Sequence, residues 1–330
     1  MPPRQRKLHS QVFPPAPSFT EKQLPDLTGK VYLITGATSG LGQELAGLLY
    51  SHNATVFLGA RSQAKADTTI SSLQAAHPAS HGRLVSVLID FADLSTVKSG
   101  AAAFLSHPAS AGKLHVLFHN AGVLAPPKGS ATKAGHELAL GTHAIGPQLL
   151  TRLLESRLKE TAATEDKNTV RIVWVASTGA TLAPQGGMDV KNLADHEKGP
   201  IEKYNISKAG AMFLCGLWAE RLKANGIVNI SLDPGNLKTN LQQTFSQEVS
   251  RIGGPILQLF LHPAIKGAYT ELFAGFSPDV TVEKGLFPWG RLVKFPRQDI
   301  IQGFSSEANG GTGNAQKFWD WCEVQIQSYL

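Results

Sequence analysis

Short apolar runs alternate with amphipathic stretches along most of the chain. Apolar residues recur at helical spacing over residues 40–52, 62–76, 94–106, 132–158 and 203–224. Between these helices lie six runs typical of buried strands: KVYLITG (30–36), ATVFLGAR (54–61), RLVSVLID (83–90), LHVLFHNAG (114–122), TVRIVWVAST (169–178) and IVNISLDPG (227–235). Near-continuous apolar strands separated by helices predict a doubly wound α/β fold of the Rossmann type, a parallel sheet with helices on both faces.

The same pattern divides the chain into an arm and one domain. Residues 1–28 are rich in Pro, Gln and Ser and predict an extended N-terminal arm, whereas residues 29–330 predict a single Rossmann-type domain. The polar segment 160–169 predicts a surface insertion. Segments 183–203 and 240–300 follow the fifth and sixth strands, so we expect them at the carboxyl edge of the sheet as substrate-binding walls.

Composition and charge exclude several classes of function. The chain is 42% hydrophobic and 17% charged, which is ordinary for a globular protein with a substantial core. Its net charge of +6 is spread without a basic cluster, so no nucleic-acid partner is predicted. The apolar runs are too short for a membrane span and no secretory signal is recognised, which predicts a cytoplasmic protein. Two distant cysteines, Cys215 and Cys322, and no H-E-x-x-H motif predict neither a disulfide framework nor a metal site.

The segment TGATSGLG, residues 35–42, joins the first strand to the first helix and predicts a phosphate-binding turn, called the cradle below. Gly36 permits a tight turn, Gly40 allows backbone to approach a pyrophosphate, and Gly42 allows the helix to pack closely on the strand. The helix N-terminus adds free N–H donors and a partial positive charge. The predicted cradle residues are Gly36, Thr38, Ser39, Gly40, Leu41 and Gly42.

Further motifs follow the cradle in a fixed order. Strand four ends in Asn120-Ala121-Gly122, strand five ends near Ser177, a helix carries Tyr204-x-x-x-Lys208, and strand six runs into DPGNLKT. With the spacing T-G-x-x-x-G-x-G, this set resembles the short-chain dehydrogenase/reductase family over residues 28–245, including its fungal and retinol-dehydrogenase-like members. Besides the cradle, the resemblance implies these cofactor contacts: Asn120, Ala121, Gly122, Tyr204, Lys208, Pro234, Gly235 and Thr239.

The end of the second strand bears on the choice of cofactor. An acidic residue there would accept a hydrogen bond from the ribose 2′-OH of NAD, but this chain has Ala60 followed by Arg61. The Arg61 guanidinium can pair with a 2′-phosphate, so we predict NADP(H); the alternative is a solvated surface charge. Asp90 follows strand three and resembles the family residue that contacts the adenine, or else it caps its own loop.

Tyr204 and Lys208 lie four residues apart on a predicted helix, so their side chains share one face. A nearby ammonium favours the phenolate and lowers the tyrosine pKa from its usual value of about 10. The Ser177 hydroxyl can bind the substrate oxygen on which charge develops. We therefore predict that Tyr204 protonates a carbonyl oxygen in the reductive direction, and the resemblance implies that Lys208 also binds the nicotinamide ribose.

His143 lies among small and apolar residues of the helix predicted for 132–158. The resemblance implies an asparagine at this position, the fourth member of the catalytic group, whose backbone holds a water beside the lysine. Three interpretations remain open: the backbone of residue 143 maintains this relay, the imidazole itself joins it, or the relay is weakened. His143 is thus predicted as a catalytic residue with Ser177, Tyr204 and Lys208.

The C-terminal third is rich in aromatic residues. GLFPWGR and GGTGNAQKFWDWCEVQIQ resemble segments of fungal family members, which often reduce carbonyl groups of secondary metabolites. Phe287, Trp289 and Phe295 either line an apolar substrate pocket or pack against the sheet edge or a subunit contact. Trp319 and Trp321 are predicted to pack along a terminal helix.

The leading interpretation is an NADP(H)-dependent oxidoreductase acting on the ketone or alcohol group of a small, mostly apolar substrate. The resemblance implies ketone reduction in secondary metabolism. One alternative is a non-redox enzyme, such as a cyclase or isomerase, on the same scaffold; another is an NADP-binding sensor. Ser177, Tyr204 and Lys208 together favour the oxidoreductase. The resemblance also implies a homodimer as one arrangement, formed through the two long helices.

Overall fold

The structure of the chain is a computed structural model that describes residues 16–193, 198–239, 261–283 and 297–330. The six apolar runs form strands, and two short strands follow them. The strands are β1 (Val31–Thr35), β2 (Thr55–Ala60), β3 (Arg83–Leu88), β4 (Val116–His119), β5 (Arg171–Val175), β6 (Val228–Leu232), β7 (Leu237–Lys238) and β8 (His262–Pro263). The α-helices are α1 (Gly40–Ser51), α2 (Gln63–Ala76), α3 (Leu94–Ser106), α4 (Leu138–Leu140), α5 (Gly146–Ala162), α6 (Pro200–Leu222), α7 (Ala264–Phe276), α8 (Gln298–Ile301) and α9 (Asn314–Ile326).

The first six strands form one parallel sheet in the order β3-β2-β1-β4-β5-β6. The strand order reverses between β1 and β4, where Ile34 lies beside Phe118. The carboxyl ends of these two strands therefore border the crevice in which ligands of doubly wound sheets bind. This arrangement confirms the predicted fold class.

Helices cover both faces of the sheet. This is expected because strands with apolar side chains on both sides must be shielded from water on both faces. One layer contains buried residues of α3, α5, α6 and α9, and the other contains buried residues of α1, α2 and α7. Because successive strand side chains point to opposite faces, Leu117 joins the first layer and Phe118 the second. Leu24 and Leu27, from the end of the predicted arm, are buried in the second layer. Residues 1–15 of that arm lie outside the described residues.

The helix predicted for 132–158 begins later than its periodicity indicates. The Leu140 N–H donates to Glu137 Oε2 at 2.8 Å, and this cap starts the helix at Leu138. The α-helical pattern then widens into a π-helical segment, Gly141–Ile145, before α5 begins. A π-helical turn of this kind is common at functional sites, and this one carries His143.

The other boundary differences have local causes as well. The predicted surface insertion at 160–169 begins inside α5, which runs to Ala162. Glu165 then forms ion pairs with the lysines that precede β1 and β4, so this segment is anchored to the sheet. The helix predicted for 203–224 begins earlier, at Pro200, because the fixed φ of proline suits the first turn of a helix.

The C-terminal helix α9 lies on the outer face of α5 and α6, the two helices named for a homodimer. The Phe318 ring packs directly on Gly210 of α6, where an added Cβ would lie only 2.7 Å from the ring. The ring centroids of Trp319 and Trp218 are 5.0 Å apart. The Gln148 side chain donates to Glu323 Oε1 at 2.6 Å. A homodimer through α5 and α6 stays a prediction, and it would have to form around α9 or displace it.

Within the described ranges, no helix combines the length and the apolar character needed to cross a membrane. The same ranges hold no group of three His, Cys, Asp or Glu side chains placed to bind a metal ion. Cys215 and Cys322 are buried and free.

Candidate active site

The cradle leaves no room for side chains at two of its glycines. Gly36 has a φ of +69°, and a Cβ there would lie 2.8 Å from the Cα of Ala121. A Cβ on Gly42 would lie 2.4 Å from Asn120 Nδ2 and 2.8 Å from the Gly36 carbonyl oxygen. Glycine at both positions therefore lets the β1–α1 turn pack directly against the end of β4.

The first turn of α1 is open to an anionic ligand. Ser39, the N-cap residue, is exposed, and its side chain makes no capping hydrogen bond. Thr38 is half-buried, whereas Leu41 is buried against α7. Free N–H groups at a helix N-terminus bind phosphate groups, so these residues fit the pyrophosphate of a dinucleotide.

Thr35 and Asn120 join the ends of β1 and β4 at the switch point. The Asn120 and Ala121 N–H groups both donate to Thr35 Oγ1 at 3.1 Å, and that hydroxyl donates to the Phe118 carbonyl oxygen. Asn120 Nδ2 donates to the Thr35 carbonyl oxygen at 2.8 Å. Thr35 was not among the site residues predicted from the sequence; the signal that could have indicated it is a hydroxyl residue at the end of an otherwise apolar strand.

The segment after β6 returns to the cradle. A Cβ on Gly40 would lie 3.3 Å from Thr239 Cγ2, so these two predicted cofactor residues are neighbours. Gly235 has a φ of +86°, a conformation that strains other residues. Pro234 and Gly235 thus turn the chain at the carboxyl edge of the sheet, beside the end of β5.

Arg61 and Asp90 lie at the ends of β2 and β3. Arg61 is exposed and, within the described ranges, has no ion-pair partner at 4.0 Å or less. Asp90 Oδ1 accepts the Ala92 N–H at 3.0 Å, which is the loop-capping contact expected in its alternative interpretation. An adenine contact by Asp90 and a phosphate contact by Arg61 both stay predictions.

Ser177, Tyr204 and Lys208 meet at the carboxyl end of β5. Ser177 caps a 3₁₀ segment, Thr178–Leu182, by accepting the Gly179 N–H at 3.0 Å, and a Cβ on Gly179 would lie 2.8 Å from the Tyr204 ring. Lys208 Nζ donates to the Val175 carbonyl oxygen at 2.8 Å and lies 5.8 Å from the centroid of the Tyr204 ring. The structure therefore gathers the three side chains that the sequence separates by up to 31 positions.

Burial sets the protonation states of this group. Burial raises the pKa of Tyr204 to about 12, the Ser177 hydrogen bond opposes that rise, and the charge of Asp233 adds to it. Burial lowers the pKa of Lys208 to about 7, and Asp233 opposes that fall. The pKa of Tyr204 is therefore raised by burial, against the lowering predicted from the nearby lysine, and at neutral pH Tyr204 is a phenol with a proton to give.

The His143 side chain is held at both ring nitrogens. The Val123 N–H donates to Nε2 at 3.0 Å, so Nδ1 carries the proton and donates to Ser207 Oγ at 2.8 Å. The Ser207 hydroxyl donates in turn to the backbone carbonyl oxygen of Tyr204 at 2.7 Å. Burial, with the charge of Lys208, lowers the pKa of His143 well below its ordinary value. This geometry favours the interpretation in which a relay uses the backbone of residue 143, and that interpretation stays a prediction.

The variant His143→Asn is expected to keep kcat within about threefold of wild type, with the same pH profile. An asparagine offers an acceptor for the Val123 N–H and a donor for Ser207, so the contacts can be kept without an imidazole. Steady-state reduction rates from pH 6 to pH 9 check this. If the pH–rate profile of His143→Asn lacks one of the two limbs seen in wild type, the imidazole takes part in the proton relay.

Part of the predicted substrate wall is held by the C-terminal segment. Arg297 Nη1 donates to the carbonyl oxygens of Thr181 and Ala183 at 2.8 and 3.0 Å. Asp299 pairs with the Arg297 guanidinium at 2.6 Å and accepts the Gly186 N–H at 2.9 Å. The guanidinium holds the pKa of Asp299 well below its usual range. This ion pair was not predicted, because segment 240–300 has only weak periodicity.

The structure describes only part of the two segments predicted as substrate-binding walls, 183–203 and 240–300. Residues 183–193 and 198–203 of the first segment are described, as are residues 261–283 and 297–300 of the second. Outside the described residues lie the aromatic residues predicted for an apolar pocket: Phe287, Trp289 and Phe295.

Comparisons with known proteins agree with this geometry. Residues 30–188 match the short chain dehydrogenase family model. The chain is 48% identical to a short-chain dehydrogenase/reductase of Phomopsis amygdali, over 97% of this chain and 96% of the relative. It is 41% identical to a short-chain dehydrogenase/reductase of Emericella nidulans, over 95% of this chain and 98% of the relative.

Solved structures share the fold at low sequence identity. The 3-ketoacyl-(acyl-carrier-protein) reductase of Brucella melitensis, complexed with NADH, superposes with a TM-score of 0.57 at 24% identity, covering 80% of this chain and 98% of that chain. The L-sorbose reductase of Gluconobacter frateurii, complexed with NADPH and L-sorbose, gives 0.61 at 20% identity, covering 82% and 98%. The resemblance predicted from the motifs is therefore confirmed, and the chain belongs to the short-chain dehydrogenase/reductase family.

Proposed function

We propose that this oxidoreductase uses NADP(H) to reduce the ketone of a small, mostly apolar substrate, as a step in fungal secondary metabolism. The observation that carries the proposal is the meeting of Ser177, Tyr204 and Lys208 beside the cradle, at the carboxyl edge of the sheet. The glycine contacts and the open N-terminus of α1 fit a dinucleotide. When bound, the nicotinamide supplies the hydride.

The chain's own residues supply the proton. Ser177 donates a hydrogen bond to the substrate carbonyl oxygen, on which negative charge develops. Tyr204 gives its phenolic proton to that oxygen and becomes a phenolate. The Lys208 ammonium, which lies beside the ring, stabilises the phenolate until a proton from solvent replaces the one lost. In the oxidative direction the same phenolate removes the proton of an alcohol.

Two exposed apolar side chains support the choice of an apolar substrate. Leu182 follows Ser177 at the end of the 3₁₀ segment and is 68% exposed, and Ile201 precedes Tyr204 on the first turn of α6 and is 51% exposed. Leu182 lies five positions after Ser177 and Ile201 three positions before Tyr204, so exposed apolar side chains accompany both catalytic residues along the chain. We propose a cytoplasmic location for this activity.

A coupled measurement tests the reaction class. Loss of NADPH absorbance with a panel of apolar ketones supports the oxidoreductase, and chromatography should give one alcohol for each NADPH consumed. A product formed without net cofactor consumption would support a cyclase or isomerase instead. Cofactor binding without turnover of any kind would support an NADP-binding sensor.

The variant Arg61→Ala is expected to lower kcat/KM for NADPH by about 10- to 100-fold and to leave that for NADH nearly unchanged. A hydrogen bond to a charged group contributes about 1.5–3 kcal/mol, and only NADPH carries the 2′-phosphate that Arg61 would bind. Steady-state kinetics with both cofactors measure the change. Arg83→Ala, at the opposite end of the sheet, is the matched control. Equal loss with both cofactors would remove Arg61 from the 2′-phosphate site.

A further inference from the structure

Asp233 occupies a position between two loops of the active site. It follows β6 directly, and its Oδ1 accepts the Gly235 N–H at 3.1 Å. Its Oδ2 accepts a short hydrogen bond from the hydroxyl of Thr178, the residue after Ser177. One carboxylate thus connects the loop that carries the catalytic serine to the Pro-Gly turn after the neighbouring strand.

The same carboxylate acts on the catalytic lysine and tyrosine. Its charge raises the pKa of both Lys208 and Tyr204. Facing Lys208 from other elements are His143 on the π-helical segment, which is neutral, and the Val175 carbonyl oxygen on β5. Among the described residues, Asp233 is the carboxylate placed to act on the Lys208 ammonium.

The two donors favour the ionised form of Asp233. Burial has the largest effect and leaves the pKa of Asp233 above its ordinary value, whereas the hydrogen bonds from Thr178 and Gly235 and the charge of Lys208 limit that rise. A carboxylate with donors on both oxygens and an ammonium nearby keeps its charge more readily than an isolated buried carboxyl. Burial of Lys208 without an opposing charge would release the lysine proton at lower pH.

We propose that Asp233 is a positioning residue for the reduction: its carboxylate clamps the Ser177 loop to the Gly235 turn, and its negative charge stabilises the Lys208 ammonium. The inference rests on the proposed function for its kinetic consequence. Reduction needs the ammonium, so its rate falls as pH rises through the Lys208 titration. Without the Asp233 charge, this alkaline limb moves to lower pH.

Asp233→Asn removes the charge and keeps the shape of the side chain, and Thr178→Val removes one clamp contact and keeps the charge. We expect Asp233→Asn to shift the alkaline limb of kcat by about one pH unit downward. Thr178→Val should lower kcat at every pH without moving the limb. Asp279→Asn, an exposed aspartate after α7, is the control. A fall in kcat with an unmoved limb in Asp233→Asn would reduce Asp233 to a structural contact and overturn the proposal.

Lysine titration gives a readout that needs no substrate. Nuclear magnetic resonance of side-chain-labelled lysines, assigned with Lys208→Met, reports the Lys208 midpoint directly. We expect the Lys208 titration midpoint to be lower in Asp233→Asn than in wild type. In Asp233→Glu, which keeps the negative charge, we expect the wild-type midpoint. Asp233→Glu also serves as the second variant if Asp233→Asn does not fold. Equal midpoints in wild type and Asp233→Asn would overturn the inference. Absence of ketone reduction by the wild type, with the midpoint shift present, would overturn only the proposed function.

Discussion

The variant Tyr204→Phe is expected to lose ketone reduction, with kcat falling by about 10³-fold or more and NADPH affinity kept within about threefold. The substitution removes a single oxygen, the one that carries the proton for the substrate in the proposed mechanism. General acid catalysis contributes about 10²–10⁴-fold, and here the pKa of Tyr204, raised to about 12, keeps the phenol protonated throughout the working range. Stopped-flow and steady-state rates, with NADPH fluorescence for binding, separate the two effects.

Tyr269→Phe is the matched control for this measurement. Tyr269 lies on α7, on the other side of the sheet, where burial and the nearby Glu21 carboxylate raise the pKa of its hydroxyl to about 12. Removal of that hydroxyl should leave turnover at the wild-type value. Retention of more than a tenth of kcat in Tyr204→Phe would show that another group donates the proton, and the proposed mechanism would then be wrong.

The variant Gly42→Ala is expected to lower the free energy of unfolding by about 1–3 kcal/mol and to weaken NADPH binding at least tenfold. The added Cβ would lie 2.4 Å from Asn120 Nδ2 and 2.8 Å from the Gly36 carbonyl oxygen. Relief of this overlap must push α1 away from β1 or break the hydrogen bond from Asn120 to Thr35, because both neighbours are fixed by the sheet. Urea denaturation and a binding titration measure the two losses.

Gly199→Ala provides the control for a glycine substitution. A Cβ there would meet nothing within 4 Å, and the residue lies at the start of α6, so stability should change by less than about 0.5 kcal/mol. Wild-type affinity for NADPH in Gly42→Ala would show that the cradle does not need the close approach of α1, against the predicted role of this glycine.

Much of the fold and of the site followed from short-range signals. The strands were predictable because six apolar runs of four to six residues each need cover on both faces, and the cradle and the Tyr204–Lys208 pair are contiguous motifs. The starts of the helices depend on capping side chains, which the periodicity of apolar residues does not indicate. The helix before His143, for example, begins where the Glu137 side chain accepts the Leu140 N–H. Boundaries were therefore the weaker part of the interpretation.

The contacts that were missed join distant segments. Arg297 binds carbonyl groups more than 100 positions earlier in the chain, and Asp233 meets Thr178 across 55 positions. A backbone carbonyl has no signature in the sequence, and an aspartate next to a Pro-Gly turn is typical of any loop. Such contacts become visible only when the sheet brings the ends of β5 and β6 together.

The position of α9 has a consequence for how the chain folds during synthesis. Every strand of the main sheet leaves the ribosome before Phe318 and Trp319 do, so the sheet can assemble while the outer face of α6 is still in water. Until α9 arrives, the nascent chain exposes the apolar surface around Trp218 and Gly210 that Trp319 and Phe318 later cover. Translation that stops short of α9 would release a nearly complete catalytic fold in its most aggregation-prone form.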